Sequence, residues 1–223
     1  MGVNRAGFGI VDDNAVQAAA RQEIIRRYFR YACEYAMGLT DRETVTRTEM
    51  LMKEVGVRPE DRRVVAAARR AAAEAQQTGK GNAGIYCGAA IELPDGALVT
   101  GKNSPLMHAA SSVILNAIKQ QAEIPDKIHL LSATIMQSIG VFKRDILQRK
   151  AESLNLEETL IALSISSTTN PAAQMAMEKL KDLRGAEIHL THIPAPGDEA
   201  GLRRLGVNLT SDPTFATRNL FSA

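Results

Sequence analysis

The sequence predicts an α/β protein in which a helical N-terminal segment precedes a mixed sheet covered by helices. Two observations lead to this prediction. Over residues 1–80, apolar side chains recur at the three- and four-residue spacing of amphipathic helices, whereas beyond residue 80 short β-forming runs alternate with helical patterns. Residues 78–82, Thr-Gly-Lys-Gly-Asn, are typical of a flexible boundary. We therefore expect a helical segment for docking or packing over 1–80 and an α/β domain over 81–223.

The first segment is predicted to contain three helices. They cover 15–37, 41–55 and 59–77. Asp12 offers an N-cap for the first helix, and Gly38 and Gly56 end the first and the second. Pro59 favours a helix start, because its fixed φ suits the first turn and its missing N–H is not needed there.

The α/β domain is predicted from its alternating patterns. In chain order it contains strands 85–93 and 97–100, helices 106–122 and 132–150, strand 159–165, helix 171–183, strand 187–191, helix 198–205 and strand 207–209. The apolar run at 159–165 is short enough for a buried strand. Asp198 is the predicted N-cap of the last helix, and residues 123–158 form a helical insert.

Composition excludes several classes of function. The 27 basic and 25 acidic residues leave a net charge of +2, without a dense basic stripe beside aromatic residues, so we expect no nucleic-acid partner. No apolar run approaches the roughly 20 residues that a membrane-spanning helix needs. Cys33 and Cys87 are too few for a disulfide framework, and the start of the chain has no apolar signal core. These features predict a cytoplasmic protein without a membrane partner.

Two motifs that resemble a phosphate-binding loop and a metal site are better explained as ordinary structural elements. Residues 96–103, Gly-Ala-Leu-Val-Thr-Gly-Lys-Asn, are one letter short of a phosphate-binding P-loop, but Asn103 replaces the Ser or Thr and the intervening residues are β-formers. We therefore interpret this stretch as a hairpin. His189 and His192 lie three residues apart on a predicted strand, where side chains at that spacing point to opposite faces, so they are not expected to share a metal ion.

The order of elements from residue 84 onward resembles the cytidine-deaminase fold. A hairpin whose exit carries Asn103 leads to a helix beginning at His108, and a later strand runs into a helix opened by Pro171. Zinc deaminases need three metal ligands and a glutamate. The glutamate position holds Ala110, and the two thiolate positions hold Ala172 and Met175. We expect a relative of this fold with no metal site and no zinc; a generic α/β topology remains the alternative.

Five stretches of the chain together resemble a bacterial family known as domain of unknown function 1846. They are 1–12 (MGVNRAGFGIVD), 23–29 (EIIRRYF), 92–110 (ELPDGALVTGKNSPLMHAA), 169–183 (TNPAAQMAMEKLKDL) and 191–212. The resemblance implies that the chain is the C-terminal half of its family. It also implies part of an ATP-linked enzyme whose nucleotide-binding half is absent here, so we expect no cofactor in this chain.

Polar residues at the predicted strand ends suggest a site for a small polar or phosphorylated ligand. The candidates for catalysis are His108, His192 and Asp198, and those for ligand binding are Lys102, Asn103, Asn170, Glu199 and Arg203. The histidines would act as acid–base groups or anion contacts, the asparagines would hydrogen-bond the ligand, and Lys102 and Arg203 would neutralise negative charge.

A second interpretation belongs to another class. The three N-terminal helices are amphipathic and rich in alanine, which allows close packing against a partner. In this interpretation the chain is a non-catalytic interaction or oligomerisation module. Its partner would be the missing half of the family or a second copy of itself, so a homo-oligomer is expected.

Overall fold

A computed structural model describes residues 12–149 and 152–217. The N-terminal string of the family resemblance lies outside the described residues apart from Asp12, as does Lys150, the predicted end of a helix. The chain forms two compact units, of which one ends at Arg62 and the other begins at Arg63. The sequence placed the boundary at residue 80; the units divide earlier because the helix that begins at Arg63 packs against the sheet.

The first unit is a pair of helices followed by a short turn. Its elements are α1 (Asp13–Ala36), α2 (Arg42–Val55) and a 3₁₀ turn (Pro59–Asp61). The side chain of Asp12 accepts the Ala15 N–H at 2.9 Å, so the predicted N-cap is confirmed. Gly56 ends α2 with a φ of 67°, a left-handed conformation that glycine adopts without strain. Pro59 opens the 3₁₀ turn and not the third helix.

The second unit holds the sheet. Its elements are α3 (Arg63–Gln77), β1 (Gly88–Glu92), β2 (Leu98–Lys102), α4 (Ala109–Gln121), α5 (Ala133–Asp145), α6 (Leu156–Ser167), α7 (Pro171–Glu178), a 3₁₀ helix (Lys179–Leu183), β3 (Glu187–Leu190), α8 (Pro196–Leu205) and β4 (Asn208–Ser211). The α/β class and the mixed sheet are therefore confirmed. Over the described ranges, the chain has no helix long and apolar enough to cross a membrane.

The sheet places three strand ends at one edge. The strand order is β2-β1-β3-β4; β1 is antiparallel to both of its neighbours, and β3 is parallel to β4. Strands β2, β3 and β4 therefore run in the same direction, and they end at the edge where β1 begins. This edge is where open α/β sheets commonly place ligands.

Helices cover both faces of the sheet, and two glycines let them approach closely. Ala90 packs with residues of α3, whereas Ala89 and Ile91 belong to the larger core that includes α4. A Cβ added at Gly88 would lie 2.3 Å from the Ala68 carbonyl oxygen on α3, and one at Gly101 would lie 2.3 Å from the Val113 nitrogen on α4. Only glycine fits at these two points of contact.

The strand predicted at 159–165 is wrong, because this stretch lies within α6. Asn155 and Glu158 form a capping box: the Asn155 side chain accepts the Glu158 N–H, and the Glu158 carboxylate accepts the Asn155 N–H, both at 3.0 Å. Ile161 and Ile165 lie exposed one turn apart, while Ala162 and Leu163 are buried, as on a helix. The strand expected before Pro171 is therefore absent, and the cytidine-deaminase resemblance stays a prediction.

Candidate functional site

Polar side chains from distant parts of the sequence gather at the sheet edge where β2, β3 and β4 end. They are Cys87, Asn103, His108, His192, Asp198 and Asp212. Cys87 precedes β1, Asn103 follows β2, and His192 and Asp212 follow β3 and β4. His108 is the N-cap of α4, so it stands at a helix start. The fold thus collects at one edge residues that are up to 125 positions apart in the sequence.

His108 and Asp198 form a hydrogen-bonded pair, which we call the dyad. The Nδ1 atom of His108 lies 2.7 Å from Oδ2 of Asp198, and the other carboxylate oxygen accepts the Leu156 N–H at 2.8 Å. The Asp198 side chain is 1% exposed, whereas that of His108 is 29% exposed. The dyad therefore has a buried carboxylate and an imidazole that solvent can reach.

The position of Asp198 differs from the sequence prediction. Helix α8 begins at Pro196, so Asp198 lies in its first turn, and the N-cap is Ala195. Proline is favoured at the first position of a helix, so Pro196 was a signal for this earlier start. Because the Asp198 side chain does not cap its own helix, both of its oxygens are used by Leu156 and His108.

The dyad has the geometry of an oriented acid–base group. A carboxylate only accepts hydrogen bonds, so Nδ1 of His108 carries the proton of this bond, and in the neutral form of the ring Nε2 is an acceptor. This assignment of the proton follows from the hydrogen-bond partner. A histidine held in one tautomer by a buried carboxylate can remove a proton from a bound group and return it.

His192 lies buried beside the dyad and is 7% exposed. Burial lowers its pKa to about 4, and the charges of Asp198 and Asp212 oppose this effect while those of His108 and His189 add to it. His192 is therefore neutral at pH 7 and offers no positive charge to an anion. Its Nδ1 has no hydrogen-bond partner in the part of the chain that the structure describes.

A second histidine–carboxylate contact was missed by the sequence analysis. His189 is fully buried on β3; its Nδ1 lies 2.9 Å from the Thr210 hydroxyl, and its Nε2 lies 3.4 Å from Asp212. Arg69 of α3 binds Asp212 at 2.7 and 3.1 Å. Burial alone would raise the pKa of Asp212, but hydrogen bonds from His189 and Arg69 lower it to about 2. In the sequence, the only signal for this contact was that Asp212 follows the last predicted strand.

Cys87 is a free, buried thiol at the same edge. Burial raises its pKa to about 11, and the negative charge of Asp198 contributes in the same direction. At pH 7 the group is a thiol, whereas nucleophilic catalysis requires the thiolate. Cys87 therefore belongs to the surroundings of the dyad and does not complete a nucleophilic triad.

The two predicted asparagines make structural hydrogen bonds. The Asn103 side chain accepts the Cys87 N–H at 2.8 Å and donates to the Ile85 carbonyl at 3.0 Å. Asn170 is the N-cap of α7, where it accepts the Ala172 N–H, and it also donates to the His129 carbonyl at 3.0 Å. Asn103 thus holds the residues that lead into β1. In the described part of the chain, Asn170 makes no hydrogen bond to the dyad.

The predicted charged contacts are already paired with carboxylates. Lys102 binds Glu74 at 2.9 Å, and this contact lowers the pKa of Glu74. Arg203 binds Glu199 one turn earlier on α8 at 2.6 Å, with both side chains exposed. These three predicted ligand contacts therefore form surface ion pairs, and the structure does not join them to the dyad.

The candidate site is polar and holds no group of metal ligands. Among the described residues, no set of three or more His, Cys, Asp or Glu side chains could hold a metal ion. A pocket of about 190 Å³ lies along α4 and is lined largely by apolar residues, including Leu106, Met107 and Ile128. Its lining does not include His108 or Asp198. The groove has titratable groups of its own, Lys119 and His129. We place the candidate chemistry at the dyad, because there a buried carboxylate orients the imidazole.

Comparison with known proteins gives the family. Residues 60–221 match the family model "Domain of unknown function DUF1846, C-terminal", and residues 1–56 match the model of its N-terminal domain. The description as the C-terminal half alone is therefore wrong, because residues 1–56 belong to the other domain.

The chain is similar over 99% of its length to two clostridial proteins, each named "UPF0371 protein". It is 48% identical to one from Clostridium botulinum (strain Alaska E43 / Type E3) and 45% identical to one from Clostridium tetani (strain Massachusetts / E88). It spans 44% of the length of each of these relatives. On these matches, the chain belongs to the DUF1846 family.

Proposed function

We propose that this chain carries an acid–base site for a small polar ligand at the sheet edge, with His108 as the acid–base group and Asp198 as its orienting partner. The observation that supports the proposal is the 2.7 Å contact between a buried carboxylate and a partly exposed imidazole. Burying a carboxylate is costly unless its hydrogen bonds are satisfied. Here both of its oxygens are used, and the exposed ring is left with an available Nε2.

The charges around the dyad favour a polar ligand over a phosphorylated one. The cations that the sequence analysis assigned to phosphate, Lys102 and Arg203, are bound to Glu74 and Glu199. His192 is neutral at pH 7, because burial lowers its pKa to about 4. In the described part of the chain, the charged partner of His108 is the carboxylate of Asp198. A phosphate group bound here would meet this negative charge, so we assign the site to an uncharged polar ligand.

A thermal-shift screen of small polar metabolites tests the proposal. The variants are His108→Gln, which removes the base, and His129→Gln, which changes an exposed histidine outside the dyad. A ligand at 100 times its Kd stabilises the folded state by about 2.7 kcal/mol, which raises Tm by roughly 5–11 °C for a chain of this size. The rise should occur in the wild type and in His129→Gln and be lost in His108→Gln. A rise that persists in His108→Gln, or no rise with any compound, would contradict the site.

Inorganic phosphate provides the test of ligand charge. Phosphate stabilises many proteins because it is excluded from their surface, so it should raise Tm equally in the wild type and in His108→Gln. A larger rise in the wild type than in His108→Gln, at matched ionic strength, would assign the site to anions. That result would overturn the proposed ligand class and leave the acid–base dyad in place.

A second candidate function is an interaction module, and exposed apolar side chains on α5 and α6 favour it. Phe142 and Ile146 at the end of α5 are 51% and 67% exposed, and Ile161 and Ile165 on α6 are 59% and 48% exposed. Exposed apolar side chains on two helices that contact each other are typical of a docking surface. The relatives are more than twice as long as the matched segment, so we assign this surface to the part of the family's chain outside the match.

Binding to the separately produced remainder of the Clostridium botulinum relative tests this second candidate. The double variant Phe142→Glu, Ile146→Glu should weaken the complex at least tenfold, because charge replaces buried apolar contact. Leu39→Glu, which alters an exposed leucine in the first unit, is the control. Absence of a complex, or equal binding by all variants, would contradict the assignment.

A further inference from the structure

Lys143 is a buried lysine that the acid–base proposal leaves without a role. It lies on α5 and is 4% exposed. Its Nζ donates to the Ser153 carbonyl at 2.6 Å and to Oε2 of Glu158 at 2.7 Å. Lysine is rarely buried to this degree unless it is paired, and apolar residues often replace a buried ion pair without loss of stability.

The partner of Lys143 is also part of the capping box of α6. The same Oε2 of Glu158 that binds Lys143 accepts the Asn155 N–H at 3.0 Å, and the Asn155 side chain accepts the Glu158 N–H. Lys143 therefore holds the glutamate that fixes the first turn of α6. We call residues 153–156, which enter this turn, the connecting segment.

Three hydrogen bonds join the connecting segment to the dyad or to the residues around it. The Leu156 N–H donates to Oδ1 of Asp198 at 2.8 Å. The Leu154 carbonyl accepts the backbone N–H of His108 at 2.9 Å and the hydroxyl of Ser111 at 3.3 Å. One segment thus binds the carboxylate of Asp198 and the backbone of His108, and Lys143 anchors its other side.

The start of α8 lies directly on this segment. A Cβ added at Gly197 would lie 2.6 Å from the amide of the Asn155 side chain. Because Gly197 has no side chain, its backbone packs against the capping box immediately before Asp198. The box therefore sets the position of the carboxylate both through the Leu156 N–H and through this contact.

We propose that Lys143 is a positioning residue for the dyad, which acts through Glu158 and the connecting segment on the orientation of His108. The functional meaning of the proposal rests on the acid–base site described above. A shift of about 1 Å in a catalytic group lowers rates by as much as a hundredfold. We therefore assign the pair of the buried Lys143 and the partly buried Glu158 to holding this group in place.

Proton and nitrogen NMR of the His108 ring in the full chain tests the proposal. In the wild type, a proton held between Nδ1 and the carboxylate should give a low-field signal, and at a pH where the ring is neutral Nε2 should appear as an unprotonated nitrogen. Lys143→Met should weaken or abolish the low-field signal, and Lys143→Arg should restore it. Arg144→Met is the matched control, because Arg144 is exposed and binds only the exposed Asp145 and Glu152 in the described structure.

The outcomes separate this inference from the acid–base proposal. A folded Lys143→Met variant with the wild-type His108 signal overturns the positioning role, and so does an equal loss in Arg144→Met. If the wild type itself lacks the low-field signal, the dyad is overturned as well. If Lys143→Met does not fold, Glu158→Gln decides: a glutamine can still accept the Asn155 N–H but removes the charge that holds Lys143. An unchanged His108 signal in that variant also overturns the proposal.

Discussion

The residues of the candidate site have different degrees of contact with solvent, and this difference decides their roles. His108 is 29% exposed and hydrogen-bonded on one side, whereas His192 is 7% exposed and its Nδ1 lacks a partner among the described residues. Exposure allows His108 to exchange a proton with a ligand. Burial keeps His192 uncharged, so it can form a hydrogen bond to a neutral group but cannot attract an anion.

The buried His192 makes stability depend on pH. Its folded pKa of about 4 lies below the ordinary value of 6.5, so between these values the unfolded chain binds the proton more tightly. The contribution of neutral His192 to the free energy of unfolding should be fully present above pH 6.5. It should fall as the pH decreases to 4, by about 3 kcal/mol at most. Urea denaturation of the wild type and of His192→Gln over this range measures the difference. Parallel curves for the two proteins would contradict the prediction.

At the scale of secondary structure, patterns of turns and caps predicted more than runs of apolar residues did. The hairpin of β1 and β2 and the caps of α1 and α2 follow from local residues, and the structure agrees. The run at 159–165 contains buried and exposed apolar residues alike, so its composition fits a strand as well as a helix. The capping box of Asn155 and Glu158 just before it was the decisive signal.

Two glycines should respond to alanine in opposite directions. Gly101→Ala places a Cβ 2.3 Å from a backbone nitrogen of α4, and the helix must shift away from β2. We expect a loss of about 1–3 kcal/mol in the free energy of unfolding. Gly140 lies within α5, and the nearest atom to an added Cβ is 3.5 Å away, so Gly140→Ala should gain about 0.5–1 kcal/mol. Denaturation in urea measures both, and equal effects would argue against the close contact at Gly101.

At the scale of the whole chain, the sequence indicated which residues follow strands but not which of them meet. Asp198 and His108 were both predicted, and the structure joins them. Asn170, Lys102 and Arg203 were predicted for the same site and instead cap a helix or form ion pairs. Contacts between distant residues depend on packing, which the local sequence does not specify.

The contact of Arg69 with Asp212 connects α3 to the end of β4, and it should weaken in acid. Hydrogen bonds from His189 and Arg69 lower the pKa of Asp212 to about 2, against 3.8 for the free group. The stability from this contact should be present above pH 4 and be lost as the pH falls through 2, by about 1–2 kcal/mol after allowance for solvent. Asp212→Asn should remove this part of the acid dependence, measured by thermal unfolding between pH 2 and 5. A wild-type slope in the variant would contradict the prediction.

The distance along the chain between the paired residues has a consequence for biosynthesis. His108 and Asp198 are 90 positions apart, and Arg69 and Asp212 are 143 apart. Contacts of such long range close late in folding, since the entropy of a large loop must be overcome first. A chain still on the ribosome contains β1 and β2 long before it contains β3 and β4. The dyad therefore cannot assemble until translation has passed Asp198, and a nascent chain stalled earlier would expose the unpaired side of β1.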